Sequence, residues 1–352
     1  MNVSLFHPVS INQKEDTTLF SLSLLYTRIG AIKGVNLGLG ASLIHDGMDG
    51  LQVNGGYTWI GEEFNGVNLT GGVNAHGNTV KGFEAAGLSN LVFGDFYGLQ
   101  VVGAYNFVLG NLTGSQIAFI FNITGGDVSF FQLGNANLTG GSLKGLQVGG
   151  VFNFVGKTMR GAQFGPANIT SDMNGLQFGG GNFARVSRGL QIGLFNVVQR
   201  QEGVPLGLVN VAVENGSLEW VTYASNFSTL NSGIKFNANK FYSILDVGFK
   251  HVVKRDSKLI TAGFHYGYNI SLSQRFKLCP DLGYVQIFEE ETEKTKDRIT
   301  HFALQGRFIG EYEVSDMFRV FAGFGFSRRF DVRENKTYKF GKLIILGGIS
   351  LF

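Results

Sequence analysis

The stretch Gly98-Leu-Gln-Val-Val-Gly-Ala-Tyr-Asn106 returns after 16 residues as Gly114-Ser-Gln-Ile-Ala-Phe-Ile-Phe-Asn122. Both copies place a glutamine two positions after a glycine and an asparagine further on. Followed outward in both directions, the glutamine position is occupied by Asn36, Gln52, Asn68, Glu84, Gln100, Gln116, Gln132, Gln147, Gln163, Gln177, Gln191 and Pro205. The step is 16 residues up to Gln132 and 14 to 16 residues beyond it. A fixed period of this kind indicates a repeat protein.

A second polar position accompanies the first through most of the repeats. It is filled by Asn74, Asn90, Asn106, Asn122, Asn137, Asn153, Asn168, Asn182, Asn196 and Asn210. Together the two rows define twelve units, which we assign to a repeat domain over residues 34–214.

The unit is too short for a helix pair, which needs about 33 residues or more. Its apolar runs, separated by glycine, are typical of short β-strands. The period therefore predicts a glycine-rich β-solenoid, in which each unit forms one coil and like residues stack about 4.8 Å apart. The alternative arrangement makes the repeats antiparallel strands of a large barrel.

Stacking gives the polar rows a structural role. A side-chain amide carries both a donor and an acceptor, so identical amides can bond from coil to coil. We expect such ladders from Asn36, Gln52, Asn68, Gln100, Gln116, Gln132, Gln147, Gln163, Gln177, Gln191, Asn106, Asn122, Asn153, Asn168, Asn182 and Asn196. The apolar neighbours of each glutamine, such as Leu146 and Val148 or Leu190 and Ile192, are expected to form the core. Glycine supplies positive φ at the corners.

After the repeats the pattern changes to longer alternating strands, assigned to a domain over 215–352. Alternation runs through 258–272, 276–288, 302–314 and 318–326, and the chain ends on Phe352 after an apolar strand. One face is apolar and aromatic, and the other carries charge and glycine. This pattern predicts an antiparallel membrane β-barrel, although a soluble β domain would alternate as well. A terminal aromatic resembles the signal of bacterial outer-membrane barrels.

The N-terminal segment, residues 1–33, is expected to be a strand or cap before the repeats. Its alternating part, 17–28, reads as one strand. We expect seven or eight strands in 218–352, to which 17–28 could add one that closes the barrel. The turns are expected at Lys254-Arg255-Asp256, at 289–298 and at 333–336.

Composition excludes several classes of function. The net charge of +3 is too small to indicate a nucleic-acid partner. One cysteine, Cys279, rules out an internal disulfide and a cysteine-based metal site. The sequence has no run of 18 apolar residues and hence no predicted transmembrane helix. Its first residues do not read as a signal peptide, so we expect that an export signal was removed.

No residues are predicted to be catalytic or to bind a metal or a cofactor. The six histidines show no metal-ligand spacing, and His251, His265 and His301 are expected to line the barrel lumen. Acidic residues of the repeats lack a common register, in contrast to the clustered charges of solenoid glycosidases and lyases.

The repeats Gly145-Leu-Gln-Val-Gly149 and Gly189-Leu-Gln-Ile-Gly-Leu-Phe-Asn196 resemble those of surface-repeat outer-membrane proteins of spirochaetes and Bacteroidota. The segments Val3-Ser-Leu-Phe-His-Pro8 and Ser21-Leu-Ser-Leu-Leu-Tyr26 resemble the entry to those repeats. Phe241-Tyr-Ser-Ile244 and Phe264-His-Tyr-Gly-Tyr268 resemble their C-terminal β tail. The resemblance implies placement at the outer membrane or cell surface and carries no catalytic residue with it.

These patterns predict a non-enzymatic structural or interaction protein of the bacterial outer membrane. Its expected partners are outer-membrane lipid and other outer-membrane proteins docked by the solenoid. The alternative is a carbohydrate-binding solenoid with an exposed aromatic row at Tyr57, Trp59, Phe93, Phe96, Tyr97 and Tyr105. A solute channel is not expected, because the lumen of a barrel of about eight strands is filled by side chains.

Overall fold

The structure is a computed structural model that describes residues 1–6, 9–10, 17–252, 257–291, 299–331 and 342–352. All regular secondary structure in these ranges is β-strand. The chain forms two compact units, Met1–Gly189 and Leu190–Phe352.

The described residues of the first unit form nineteen strands. They are β1 Asn2–Phe6, β2 Val9–Ser10, β3 Thr17–Ser23, β4 Tyr26–Ile29, β5 Ala31–Gly38, β6 Ala41–Ile44, β7 Met48–Asn54, β8 Tyr57–Ile60, β9 Phe64–Thr70, β10 Val73–His76, β11 Val80–Ala86, β12 Ser89–Val92, β13 Phe96–Val102, β14 Tyr105–Val108, β15 Leu112–Ala118, β16 Phe121–Thr124, β17 Val128–Thr139, β18 Leu143–Phe164 and β19 Ala167–Ser187.

Equivalent residues of successive repeats pair in parallel and in register. In one sheet Gln100 of β13 pairs with Glu84 of β11 and with Gln116 of β15. In the other sheet Asn106 pairs with Asn90 and Asn122. Each repeat therefore forms one coil that contributes a strand to each of two sheets. This arrangement confirms the predicted β-solenoid and excludes the antiparallel alternative for the repeats of this unit.

The interior of the coils differs from the expectation in one respect. Strand alternation turns the buried polar rows inward, whereas Leu146 and Val148 point outward and are only half-buried. The expectation that the apolar neighbours of each glutamine form the core was therefore wrong. Leu190 and Ile192 of the second unit are likewise only half-buried.

The apolar part of the core comes from rows at other positions of the repeat. One row lies two residues before the corner glycine and includes Ile32, Met48, Phe64, Val80, Phe96, Leu112, Val128, Leu143, Met159 and Met173. The other lies two residues after the inward polar position of the second sheet, which is Thr27, Ser42 or Thr58 in the early coils and asparagine later. It includes Ile29, Ile44, Ile60, Val92, Val108 and Val155.

The corner glycines allow adjacent coils to approach closely. Gly98 has φ +137, and a Cβ placed on it would lie 1.9 Å from the carbonyl oxygen of Gly82. Phe130 occupies the same corner position with φ 121, in the region that L side chains rarely adopt. The aromatic residue in this row is therefore held in a strained backbone conformation.

The N-terminal residues belong to the same stack. The predicted strand at 17–28 is two strands, β3 and β4, and they pair in parallel with β5 and β6. Asn2 of β1 donates hydrogen bonds of 3.3 Å to Ser21 and Thr27. Segment 17–28 is therefore part of the solenoid, and the expectation that it could close the barrel was wrong.

The second unit contains the last two coils and the barrel. Its strands are β20 Leu190–Gln201, β21 Val204–Ala212, β22 Gly216–Ser225, β23 Leu230–Ala238, β24 Phe241–Val252, β25 Ser257–Tyr268, β26 Ile270–Ser271, β27 Phe276–Glu291, β28 Ile299–Ser315, β29 Phe318–Asp331 and β30 Lys342–Leu351. Strands β20 and β21 pair in parallel, with Asn196 beside Asn210.

Eight antiparallel strands close the barrel. Strands β22, β23, β24, β25, β27, β28, β29 and β30 each pair with the next, and β30 pairs back to β22. Strand β26 is a short addition on β27. The predicted turn at 254–256, most of 289–298 and the turn at 333–336 lie outside the described residues, and β27 extends through Glu291.

Candidate functional site: the barrel wall and the repeat surface

The outer wall of the barrel is apolar. On β28 the side chains of Leu304, Phe308 and Tyr312 point outward and are 44–50% exposed. Neighbouring strands continue this surface, which includes Leu218, Trp220, Leu230, Val247, Phe249, Ile260, Leu282, Tyr284, Val320, Phe324, Phe326, Leu343, Ile345 and Ile349. The same wall carries Arg328, which is exposed on the outward face and pairs with Leu304 near the upper end. An apolar surface of this extent indicates contact with another apolar phase.

Aromatic rings concentrate near both ends of the wall. Near one end, the ring of Phe302 lies 5.6 Å from that of Tyr284 and 4.9 Å from that of Phe330. Near the other end, Phe241 lies 6.0 Å from Tyr266 and 5.1 Å from Tyr268. We call these groups the upper girdle (Tyr284, Phe302, Phe330) and the lower girdle (Phe241, Tyr266, Tyr268).

The apolar band has the height expected for a membrane barrel. Strand β28 runs from Phe302 of the upper girdle to Tyr312, which pairs with Phe276 near the opposite end. Ten residue steps at about 3.4 Å, tilted by about 40°, give about 26 Å. Transmembrane barrels carry an apolar band about 25 Å tall between two aromatic girdles.

The middle of the lumen is filled by an ion-pair network around Arg307. Its guanidinium donates two hydrogen bonds to the Asp281 carboxylate, at 2.8 and 2.7 Å, and a third to the hydroxyl of Tyr223 at 3.2 Å. Tyr223 in turn donates to Asp246 at 3.0 Å. Buried His265 lies 3.5 Å from Asp246 and 3.7 Å from Asp281. The bidentate geometry compensates charges that would be costly to bury alone.

A second network fills the lumen near the lower end. Lys235 donates to Glu311 at 2.6 Å, and Arg319 donates to Glu219 at 2.7 Å. Glu219 also accepts hydrogen bonds of 2.5 Å from Asn237 and Ser350. The charged groups of both networks therefore point into the barrel and leave the outer wall uncharged at these positions.

The lumen is narrow beside the Arg307 network. The cavity beside Tyr223, Asp246, His265 and Arg307 has a volume of about 10 Å³, which suits about one water molecule. His265 lies inside the barrel and His301 is buried, while the side chain of His251 lies outside the described residues.

The predicted amide ladder of the first sheet is well formed over most of the first unit. Successive glutamines donate to the preceding coil at 2.7–3.0 Å from Gln116 to Gln177, and Asn36 donates to Gln52 at 2.7 Å. Gln191 lies in the second unit, where it is buried and pairs with Pro205.

The asparagine ladder of the second sheet runs from Asn74 to Asn182 with distances of 2.8–2.9 Å. Each of its rungs from Asn74 to Asn153 also donates to a backbone carbonyl. In the second unit, Asn196 donates to Asn210 at 2.8 Å. Since these side chains are at most 1% exposed, the ladders are internal and offer no binding surface.

The glutamine ladder changes its chemistry near Asn68. Gln52 donates to Thr58, which bonds Thr70 at 3.0 Å, and Thr70 donates to Asn68 at 3.2 Å. From there Asn68 contacts His76, which forms a buried contact with the carboxylate of Glu84. Gln100 then donates to Glu84 at 3.0 Å.

The outward faces of the first unit carry apolar side chains. On the glutamine sheet Leu51, Val67, Leu69 and Leu133 are 36–39% exposed. On the asparagine sheet the exposed apolar side chains are Tyr57, Tyr105, Phe121, Phe154, Ile169 and Phe183. Partial burial raises the pKa of the Tyr57 hydroxyl, so this side chain stays neutral to a higher pH.

The aromatic row proposed for carbohydrate binding is only partly exposed. Phe96 is fully buried in the core and belongs to the apolar row before the corner glycines. Tyr57, Phe93, Tyr97 and Tyr105 are 38–47% exposed. The ring of Phe93 lies 6.4 Å from Trp59 and 6.3 Å from Phe107.

In the described part of the chain, the histidine, cysteine, aspartate and glutamate side chains do not form any group that could hold a metal ion. The same residues include no helix of the length and apolarity needed to cross a membrane.

Comparisons with known proteins give limited similarity. No protein-family model matches the chain, and no curated protein matches it. The solved structures that it is similar to include Neisserial surface protein A, at 13% identity and a TM-score of 0.30, with 39% of this chain and 99% of that chain covered. Another is the N-terminal β-barrel domain of OprF from Pseudomonas aeruginosa, at 12% identity and a TM-score of 0.26, with 39% and 96% covered.

Proposed function

We propose that the protein is an integral protein of the bacterial outer membrane whose eight-stranded barrel anchors a β-solenoid that docks other proteins. The observation that carries the proposal is the apolar band between two aromatic girdles, about 26 Å tall by strand geometry. A soluble barrel of this size would expose that band to water. The paired charges of Arg307, Asp281, Lys235 and Glu311 lie inside the barrel, as a lipid-facing wall requires.

The lengths of the connections support an orientation for the barrel. At the lower end only Asn239 and Lys240 separate β23 from β24, and only Asp316 and Met317 separate β28 from β29. The third lower connection, 269–275, is longer and contains β26. At the upper end the connections are 226–229, 253–256, 292–298 and 332–341. Transmembrane barrels have short periplasmic turns and longer extracellular loops. The lower end is therefore the periplasmic end in this proposal.

The chain enters the barrel at that same end. Strand β22 begins with Gly216, which pairs with Ala238 next to the two-residue turn. The repeats precede β22 in the chain, so their entry to the barrel is periplasmic.

A binding or structural role for the repeats is supported by their surface. The ladder side chains are buried and hydrogen-bond along their rows. Both outward faces present exposed apolar side chains next to charged ones such as Lys81 and Arg185. The resemblance of the repeats to surface-repeat proteins of spirochaetes and Bacteroidota supports the same role. We propose no catalytic activity.

The proposal is tested by a charged substitution in the apolar band. Phe308 lies near the middle of β28, outward and 50% exposed. Arginine near the midplane of a barrel costs about 2–4 kcal/mol, so Phe308→Arg is expected to lower the yield of folded protein in the outer-membrane fraction. Phe308→Leu is the matched control and should fold normally. Recovery of the full-length wild-type protein as a soluble, detergent-free species would contradict the proposal.

Carbohydrate binding remains a second candidate because of the half-exposed rings around Phe93. Trp59, Phe93 and Phe107 form a row of tilted rings on one face of the first unit. Glycan-array binding that is lost in Trp59→Ala would support it. Absence of binding to every glycan tested would remove this candidate and leave the membrane proposal intact.

A further inference from the structure

The last two coils, β20 and β21, have an unusual surface for the end of a solenoid. Strand β21, Val204–Ala212, contains no charged residue. Leu194 and Phe195 of β20 are 53% and 51% exposed, and Leu206 and Leu208 of β21 are 37% and 39% exposed. Terminal repeats of soluble solenoids need a polar outer face. The apolar exterior of these coils therefore requires a covering phase or partner.

The last coil is attached to the outside of the barrel wall. The hydroxyl of Ser243 donates to the carbonyl oxygen of Leu208 at 3.0 Å and accepts a hydrogen bond from Asn210 at 3.2 Å. Ser243 alternates with the lumen residues Tyr242 and Ile244, so it shares the outward face of β24 with Val247. The coil thus touches the face that the proposed function assigns to lipid, and it does not plug the lumen.

The level of this attachment along the wall is fixed by strand register. Ser243 pairs with Tyr266 across β24 and β25, and Phe241 pairs with Tyr268. Tyr266, Tyr268 and Phe241 form the lower girdle. Aromatic girdles of transmembrane barrels lie at the membrane interfaces. The last coil therefore meets the barrel at the level where acyl chains give way to headgroups.

We propose that the outward apolar side chains of β20 and β21 insert into the interfacial zone of the bilayer beside the barrel. The occupant of this surface is phospholipid, in the leaflet at the lower end. This inference rests on the proposed function, since it needs a membrane around the barrel. The position of the last coil supports this inference. It contacts the barrel at the lower girdle, next to the apolar band, and its strand β21 contains no charged residue.

Several features make lipid a better occupant than a second protein. The coil is already held against the wall by the Ser243 contacts, so its apolar side chains adjoin a surface that is itself lipid-facing. Amphipathic elements bury apolar side chains about 5–10 Å into the headgroup and acyl boundary. The charged residues of this segment, Arg200, Glu202 and Glu214, lie after the apolar part of β20 or beyond β21, where they can remain in water.

The test uses tryptophan fluorescence in vesicles of phosphatidylcholine brominated on the acyl chains close to the glycerol backbone. The full-length chain contains Trp59 and Trp220. The reference variant is Trp59→Phe, which leaves Trp220 on the barrel wall, where its side chain is 54% exposed. The test variant combines Trp59→Phe, Trp220→Phe and Phe195→Trp. A second test variant carries Leu194→Trp in place of Phe195→Trp.

We expect the emission of the test variants to fall in brominated vesicles by as large a fraction as that of the reference variant, relative to unbrominated vesicles. Quenching of Trp220 without quenching at position 194 or 195 would overturn the inference and leave the proposed function standing. If Trp220 is also unquenched in folded protein, both the inference and the proposed function fail. Cross-linking of two copies through position 195, with no quenching there, would assign the surface to a second copy instead.

Discussion

His76 and Glu84 contact each other in the core of the first unit, and neither side chain is exposed to solvent. His76 stands in a row where its stacked neighbours are Ile60 and Val92. Glu84 stands where the flanking coils have Asn68 and Gln100. Two exceptions to the repeat pattern thus meet in space, and each supplies the polar partner that the other needs in a buried site.

The pairing predicts a strong dependence of each residue on the other. His76→Val alone is expected to lower the free energy of unfolding by about 3 kcal/mol, because the buried Glu84 carboxylate loses this partner. Glu84→Gln alone should cost less, because the glutamine amide can still form a hydrogen bond with His76. The double variant should recover most of the loss, since it restores the pattern of the neighbouring coils. Urea unfolding followed by Trp59 fluorescence in a Trp220→Phe background measures all three. Additive losses in the double variant would show that the two residues do not act as a pair.

The strained backbone at Phe130 predicts that replacing this residue stabilises the solenoid. Its φ of 121 lies where glycine occupies the equivalent corners, and such strain costs about 1–3 kcal/mol. Phe130→Gly is therefore expected to raise the thermal midpoint of the solenoid, as measured by circular dichroism. Gly98→Ala is the opposite control, since its Cβ would lie 1.9 Å from a carbonyl oxygen, and it should lower the midpoint. An unchanged or lower midpoint in Phe130→Gly would mean that the ring contributes more than the strain costs.

The lumen network predicts that Arg307 and Asp281 are coupled. Arg307→Leu leaves the Asp281 carboxylate buried without its bidentate partner, so the barrel should lose about 3–5 kcal/mol of stability. Adding Asp281→Asn should restore part of it. The temperature at which folded barrel converts to the unfolded band in gel electrophoresis reports the change. Arg328→Leu is the control: this residue is exposed on the outward face, and its removal should have a small effect.

The filled lumen predicts that the protein does not form a pore. Purified full-length protein in planar bilayers should give no stepwise conductance, because the two ion-pair networks occupy the barrel interior. The Arg307→Leu variant should also remain closed if the remaining network around Glu219 and Lys235 stays in place. Steady single-channel steps from the wild-type protein would contradict this account of the lumen.

The lengths of the connections predict the side of the membrane on which each barrel end lies. Thr229 is exposed at the upper end and Lys240 at the lower end. In intact Gram-negative cells, Thr229→Cys should react with a membrane-impermeant maleimide and Lys240→Cys should react only after the outer membrane is permeabilised. Cys279 is 1% exposed and should give little background. The reverse labelling pattern would place the entry to the barrel at the cell exterior.

Much of this architecture could be predicted from periodicity. The 16-residue spacing indicated parallel stacking, and the alternation in 258–272 and 302–314 indicated the barrel wall. The direction of the side chains in the repeats was not predictable by the same reasoning. Gln147 is flanked by Leu146 and Val148, and alternation alone leaves open which of the two sets points inward. The assumption that apolar residues fill the core gave the wrong orientation, because the glutamine amides of neighbouring coils form hydrogen bonds with one another in the interior.

Other features depended on contacts between distant parts of the sequence. The pairing of His76 with Glu84 joins two positions that each look like an isolated exception. The assignment of 17–28 to the solenoid follows from its register with β5, which alternation does not reveal. The contact between Ser243 and Leu208 involves one residue of a barrel strand and one of a degenerate repeat, and nothing in either local pattern marks it.

Pro205 gives the repeat array a fixed end. It occupies the glutamine position of the last coil. Proline has no backbone N–H that could pair with a further strand. A few residues later, Leu208 and Asn210 contact Ser243 of the barrel. Internal coils, by contrast, touch only their two neighbours. Duplication or deletion of whole units in the gene should thus lengthen or shorten the array from within, while its junction with the barrel is inherited unchanged.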